Sequence, residues 1–132
     1  MKPVVLGRWR ETESVEEARL EAGEITVHVV PGSNQLTVAI GGRTTVDTSP
    51  DLRSVLLGLL WRGAVPVVVI EMSALSYLDM SGIATLLEVL KAARERSVKL
   101  RLAGMSGQVR ALAETAQLDT IYRAWGSEVE FR

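Results

Sequence analysis

From residue 24 onward the chain alternates strand-like and helix-like patterns. Ile25, Val27 and Val29 alternate with Thr26 and His28, the period of a strand with one buried face. Pro31-Gly32-Ser33-Asn34 is a turn cluster, and Leu36 to Ile40 reads as a second strand. Together they predict a hairpin that Gly41 and Gly42 close. Ser49-Pro50-Asp51 is a helix start: serine suits the cap, proline the first turn, and aspartate the positive end. Leu52, Val55, Leu56, Leu59 and Leu60 follow as one apolar stripe, and Gly63 ends the helix. Pro66 to Ile70 is a nearly continuous β-branched run, which predicts a strand buried on both faces in the centre of a parallel sheet.

The alternation continues toward the C-terminus. Ser81 to about Glu95 predicts a helix with Ile83, Leu86, Leu87 and Leu90 on one face. Val98, Leu100 and Leu102 alternate with Lys99 and Arg101, a strand with one wet face. Ser106 is placed to cap a third helix whose stripe is Val109, Leu112, Ala113 and Ala116. Ile121, Tyr122 and Trp125 suggest a last short strand or packing segment, and Val129 to Phe131 adds a little more. The order β-β-α-β-α-β-α-β predicts a single α/β domain over residues 24–132. Its mixed sheet opens with a hairpin and continues as parallel βα units, with helices packed on it.

Residues 1–23 break the pattern. Glu11, Glu13, Glu16, Glu17 and Glu21 crowd this stretch, and Val15, Ala18 and Ala22 mark at most a short, weak helix. A helix so poor in large apolar residues buries little, so the segment reads as an N-terminal appendage.

Composition narrows the function classes. The longest apolar run, Ala64 to Ile70, is far short of the roughly 20 residues that cross a bilayer. No apolar signal core follows Met1 to Leu6, so a cytoplasmic protein without membrane insertion is expected. The chain has no cysteine and one histidine, His28, which removes thiolate sites and histidine-rich metal chemistry. The formal net charge is −1 and the basic residues are dispersed, so neither nucleic acid nor an anionic lipid surface is an expected partner. No cofactor is expected either, because the chain has no glycine-rich phosphate loop.

The segment Glu71 to Ile83 carries the distinctive residues. It reads as a strand-to-helix turn in which Asp79 caps unpaired N–H groups and Gly82 lets another backbone come close. Ser81 then lies in the first helical turn near the surface, a place suited to an anion or a phosphorylated serine. A plain capped helix explains the same four residues.

The stretch Val67 to Leu90 resembles the central signature of STAS domains, the family of bacterial anti-sigma-factor antagonists. The strand is Val67-Val68-Val69-Ile70, the aromatic-aliphatic pair Tyr77-Leu78, and the helix-start tetrapeptide Asp79-Met80-Ser81-Gly82. Gly42 with Thr48-Ser49-Pro50-Asp51-Leu52, Leu100 to Gly104 and Val109 to Asp119 extend the likeness over about residues 25–125. The resemblance implies a partner switch. The unmodified domain binds an anti-sigma factor that is also a serine kinase, and phosphorylation at the helix start blocks that binding.

Two residues depart from the family's pattern. Met80 stands where the family's usual phosphoacceptor stands, leaving Ser81 as the phosphorylation candidate. Thr45 stands where an aspartate is common in the first loop. Asp79, Met80, Ser81, Gly82, Ile83 and Thr45 are therefore the expected partner-binding residues. Met80 could fold beneath Tyr77 or stay exposed as an adaptable apolar contact, and its place in an N-terminal turn favours exposure. Trp9, Trp61 and Trp125 read as core or edge packing.

STAS domains also serve as cytoplasmic partners of the ATPase in bacterial lipid-transport ABC systems, so that role is the alternative. An enzyme is not expected, since the motif places no histidine or lysine base beside Asp79 and Ser81.

Overall fold

The computed structural model describes residues 18–22, 24–62 and 65–131. The expectations that fell on Trp9, Val15 and Gly63 lie outside these residues. In chain order the elements are β1 (Ala18–Ala22), β2 (Ile25–Pro31), β3 (Gln35–Thr44), α1 (Ser49–Arg62) and β4 (Val67–Leu78). They continue with α2 (Met80–Glu95), β5 (Lys99–Met105), α3 (Gly107–Thr115), α4 (Leu118–Ala124) and β6 (Glu128–Phe131). The six strands form one mixed sheet in the order of the chain. The first three are antiparallel, and β3, β4, β5 and β6 run parallel.

A sheet that grows in one direction through right-handed crossovers receives its helices on one face. Burial follows that rule. Ile25, Val27 and Val29 of β2, Leu36, Val38 and Ile40 of β3, Val68, Ile70 and Met72 of β4, and Leu100 and Leu102 of β5 point into one core. The apolar stripes of α1 and α2 close it from above, with Leu52, Val55, Leu56 and Leu59 facing Ile83, Leu86, Val89 and Leu90 in the same cluster. The β-branched run in β4 is therefore not buried on both faces. Val67, Val69 and Glu71 keep partial exposure on the other side of the sheet.

Four local expectations are corrected. Ala18–Ala22 is a strand and not a weak helix, paired with β2 from Ala18↔Val29 to Ala22↔Ile25. Five residues cannot sustain a helical nucleus, while the free edge of β2 offers a ready ladder of donors and acceptors. Gly41 and Gly42 do not end β3. The strand runs on to Thr44, and only glycine fits at position 42, where φ is 94° and a Cβ would strike the Glu24 carbonyl at 1.7 Å.

Strand β4 also outruns its predicted end. It reaches Leu78 alongside β3, with register shifts between Glu71 and Ala74 and between Leu75 and Tyr77, so the turn into α2 shrinks to Asp79. Ile121 and Tyr122 lie in a helix, α4, and not a strand. Tyr122 is fully buried there, and its hydroxyl donates to the Leu86 carbonyl at 2.6 Å, tying α4 to α2.

Candidate partner-binding site

The site is built where the ends of β3 and β4 meet the start of α2. Parallel pairing sets Thr44 beside Leu78, and the Asp79 N–H donates to the Thr44 carbonyl at 3.2 Å. The chain leaves the sheet at Asp79 in extended backbone (φ −115°, ψ −174°), the conformation an N-cap needs. One carboxylate oxygen, Oδ1, accepts the Ser81 N–H at 3.0 Å and the Gly82 N–H at 3.2 Å. The same Oδ1 accepts the Ser81 hydroxyl in a short contact. The Asp79 carbonyl takes the Gly82 and Ile83 N–H groups at 3.0 and 3.1 Å, so the unpaired donors of the first turn are largely satisfied from within.

Burial raises the Asp79 carboxyl's affinity for a proton. Hydrogen bonds from the Ser81 hydroxyl, the Gly82 and Ser81 amides and the Val46 amide outweigh it and hold the group below its ordinary value of 3.8. The bond from Val46 links the site to the loop after β3. In that loop Thr48 Oγ1 accepts the Thr45 N–H at 2.8 Å and donates to the Arg43 carbonyl at 2.8 Å. Thr45 Oγ1 accepts the Asp47 N–H at 3.2 Å, and its carbonyl accepts from Ser49 at 2.8 Å. Thr48 thus holds the position before α1 that the sequence assigned to Ser49, and its carbonyl begins the helical ladder by accepting from Leu52.

A third element braces the corner. The Gln108 side-chain amide lies against the last residue of β4, accepting the Leu78 N–H at 3.0 Å and donating to the Leu78 carbonyl at 2.6 Å. It completes the strand as a neighbouring strand would.

The six expected residues divide by position. Met80 projects outward, 61 % exposed, as the first residue of α2 and not beneath Tyr77. Ser81 and Thr45 are half-buried, their hydroxyls engaged as described. Asp79 is half-buried beneath the surface it organises. Gly82 and Ile83 are buried and shape the turn from below. The close approach that requires Gly82 is by side chains and not by another backbone. A Cβ would lie 2.2 Å from Leu78 Cδ1 and 2.8 Å from Thr44 Cγ2, and both neighbours are packed in the core.

Sequence reasoning missed Val46, 69 % exposed on the loop that bonds Asp79, and Gln108. Val46 left a readable sign, a lone β-branched apolar residue in a polar turn. Gln108 left none, since its partner lies 30 residues away.

Trp61 is not core. It is 66 % exposed at the other end of the helical layer, with the Arg96 guanidinium stacked 3.5 Å over its ring. Among the described residues no cluster of histidine and acidic side chains could hold a metal ion, and no helix is long and apolar enough to cross a membrane.

Comparison with known proteins agrees with this architecture. The family model described as "Mlab, STAS domain" matches residues 27–123. No curated protein matches the chain. Among solved structures, an anti-sigma factor antagonist from Mycobacterium paratuberculosis superposes with a TM-score of 0.64 at 21 % identity, over 77 % of this chain and 86 % of that one. The anti-sigma factor antagonist SpoIIAA in its unphosphorylated form gives 0.63 at 15 %, over 80 % and 89 %. The Bacillus cell fate determinant SpoIIAA in its phosphorylated form gives 0.57 at 14 %, over 80 % and 92 %. At these identities the likeness is one of fold.

Proposed function

The chain belongs to the STAS family, and on that premise we propose that it is a regulatory binding module of the anti-sigma-factor antagonist kind. It presents the start of α2 to an anti-sigma factor that is also a serine kinase, and contributes no chemistry of its own. The observation that carries this reading is the pair of exposed apolar side chains, Met80 and Val46, on elements that Asp79 bonds together. Exposed apolar side chains that share one surface, rimmed by polar residues, suit a protein contact, and methionine adapts to a partner's shape. Burying such a side chain contributes about 1.5–3 kcal/mol, and a fixed turn loses little freedom on docking. In this reading Asp79, Ser81 and Thr45 form the polar surround, Gly82 and Ile83 support it from below, and the protein works in the cytoplasm without nucleic acid.

The test is capture from an extract of the native cell on the tagged chain, with Met80→Asp in parallel. The expected result is an anti-sigma factor of the serine-kinase type that the wild-type chain retains and the variant loses. Equal recovery of that factor by both chains removes the reading.

One observation favours a second reading, the STAS subunit of a bacterial lipid-transport ABC system that binds its ATPase. Met80 offers no hydroxyl, and the Ser81 hydroxyl is engaged with the Asp79 carboxylate, beside which a phosphate would be repelled. Both features suit constitutive binding better than a phosphorylation switch. Recovery of a membrane-associated ATPase in the same capture selects this reading. Incubation with ATP and the cognate kinase tests Ser81 directly: one added phosphate there supports the switch, and an unchanged mass removes it.

A further inference from the structure

We infer that Met80 is an oxidation-sensitive modification site: its conversion to the sulfoxide by a peroxide weakens partner binding without unfolding the domain. The inference rests on the reading of the α2 start as the contact surface, and goes beyond it.

Selectivity comes from burial. The chain contains four methionines, of which Met72, Met80 and Met105 are described. Met72 points into the core beside Ile70 and is 1 % exposed, and Met105 at the end of β5 is 0 % exposed. Met80 is 61 % exposed on a backbone held by the Asp79 cap. A dissolved peroxide therefore meets one of these three sulfurs and not the other two. The Met80 sulfur lone pair attacks one peroxide oxygen, the O–O bond breaks, and an S–O bond forms. The sulfur is oxidised by two electrons, and hydrogen peroxide is reduced to water.

The product replaces a flexible apolar side chain by a polar one that keeps its hydration. At the centre of an apolar contact that hydration must be stripped on binding, so the complex weakens. The free domain is indifferent, because an outward side chain at the first helical position supports none of the core. The change is reversible by thiol-dependent sulfoxide reduction, which returns the thioether and water while two thiols become a disulfide.

The experiment treats the whole chain with hydrogen peroxide and maps oxygen by fragmentation mass spectrometry. It then measures thermal unfolding and affinity for the purified anti-sigma factor. We expect Met80 to oxidise at least about ten times faster than Met72 and Met105, an unchanged melting temperature, and a loss of affinity of about ten-fold or more. The affinity of Met80→Leu, whatever its starting value, should not change on peroxide treatment, and Met80→Gln should bind like the sulfoxide.

Oxidation of Met72 or Met105 at the rate of Met80, or an oxidised protein with undiminished affinity, overturns the inference. If Met80→Asp abolishes binding while the sulfoxide and Met80→Gln do not, the contact surface stands and this inference alone falls. If Met80→Asp also binds normally, both fall.

Discussion

The two ends of the helical layer both expose large apolar side chains, and they differ in what lies over them. At the far end Trp61 carries the Arg96 guanidinium on its face, and Trp125 is covered in the same way by Arg94 at 4.9 Å. The guanidinium lies against the indole face in a cation–π contact, and Trp61 stays 66 % exposed with Arg96 in place. At the near end Met80 and Val46 are as exposed as Trp61, and neither carries an aromatic ring on which a guanidinium could stack. The backbone beneath is also held differently. Asp79, Thr48 and Gln108 spend their hydrogen bonds on main-chain groups around the near end, while the visible interaction at Trp61 is between side chains. Exposure alone therefore does not mark a binding surface. On the proposed reading of the near end, exposure on a backbone that polar side chains hold still is the sharper criterion.

The largest break in that comparison is at Gly82. A methyl group there meets Leu78 and Thr44 well inside contact distance, and both neighbours are buried. Gly82→Ala should cost about 2–3 kcal/mol, an overpacking penalty, and should lift α2 from the strand ends. Chemical denaturation measures the loss, and an unchanged midpoint would mean that the helix start shifts freely, contrary to a rigid near end.

Gln108 comes next. Gln108→Ala leaves the N–H and carbonyl of Leu78 without their side-chain partner, at a cost of about 1–2 kcal/mol. Amide exchange at Leu78 should quicken while exchange in β2 stays slow. Uniform acceleration across the sheet would show that the clamp is global and does not specifically brace the site.

How much of this could be read from sequence depends on how local each cause is. The alternation in β2, β3 and β5 and the stripes of α1 and α2 are written within ten or so consecutive residues, and the structure follows them. The Asp79 cap is equally local: acceptor and donors lie within three positions, and the sequence showed it. Strand β1 was misread because a five-residue segment has no decisive period, and the unpaired edge of β2 decides its form. Helix α4 was misread for a similar reason, since Tyr122 finds its partner in Leu86, 36 residues earlier. The burial of Ile83 was implicit in its own stripe, but the motif invited a surface reading of every residue in it.

Asp79 gives a smaller effect with a pH signature. Asp79→Ala should cost about 1 kcal/mol at neutral pH, the usual worth of a helix cap. Hydrogen bonds hold the folded carboxyl below its unfolded value of 3.8, so the ionised form is the stabilising one. Its contribution is present above pH 3.8 and is lost as pH falls through the lower folded value. The stability gap between wild type and Asp79→Ala should therefore close in acid. Asp79→Asn, which caps without titrating, should flatten the dependence. A gap that stays constant down to strong acid would mean that the carboxylate's charge plays no part in the cap.

The smallest expected effect tests the criterion from the other side. Trp61→Ala removes an indole that is 66 % exposed and one cation–π contact. A contact of that kind at a wet site is worth about 0.5–1 kcal/mol, and partly offsetting it, Arg96 regains full hydration. Stability should fall by no more than that, and affinity for the proposed anti-sigma factor partner should not change, because the indole lies at the opposite end of α2 from Met80. Arg96→Ala sharpens the point, since it uncovers the indole without removing it. If uncovering Trp61 creates new association while Trp61→Ala does not, then the stacked arginine, and not the exposure of the aromatic ring, is what separates the two ends of the layer.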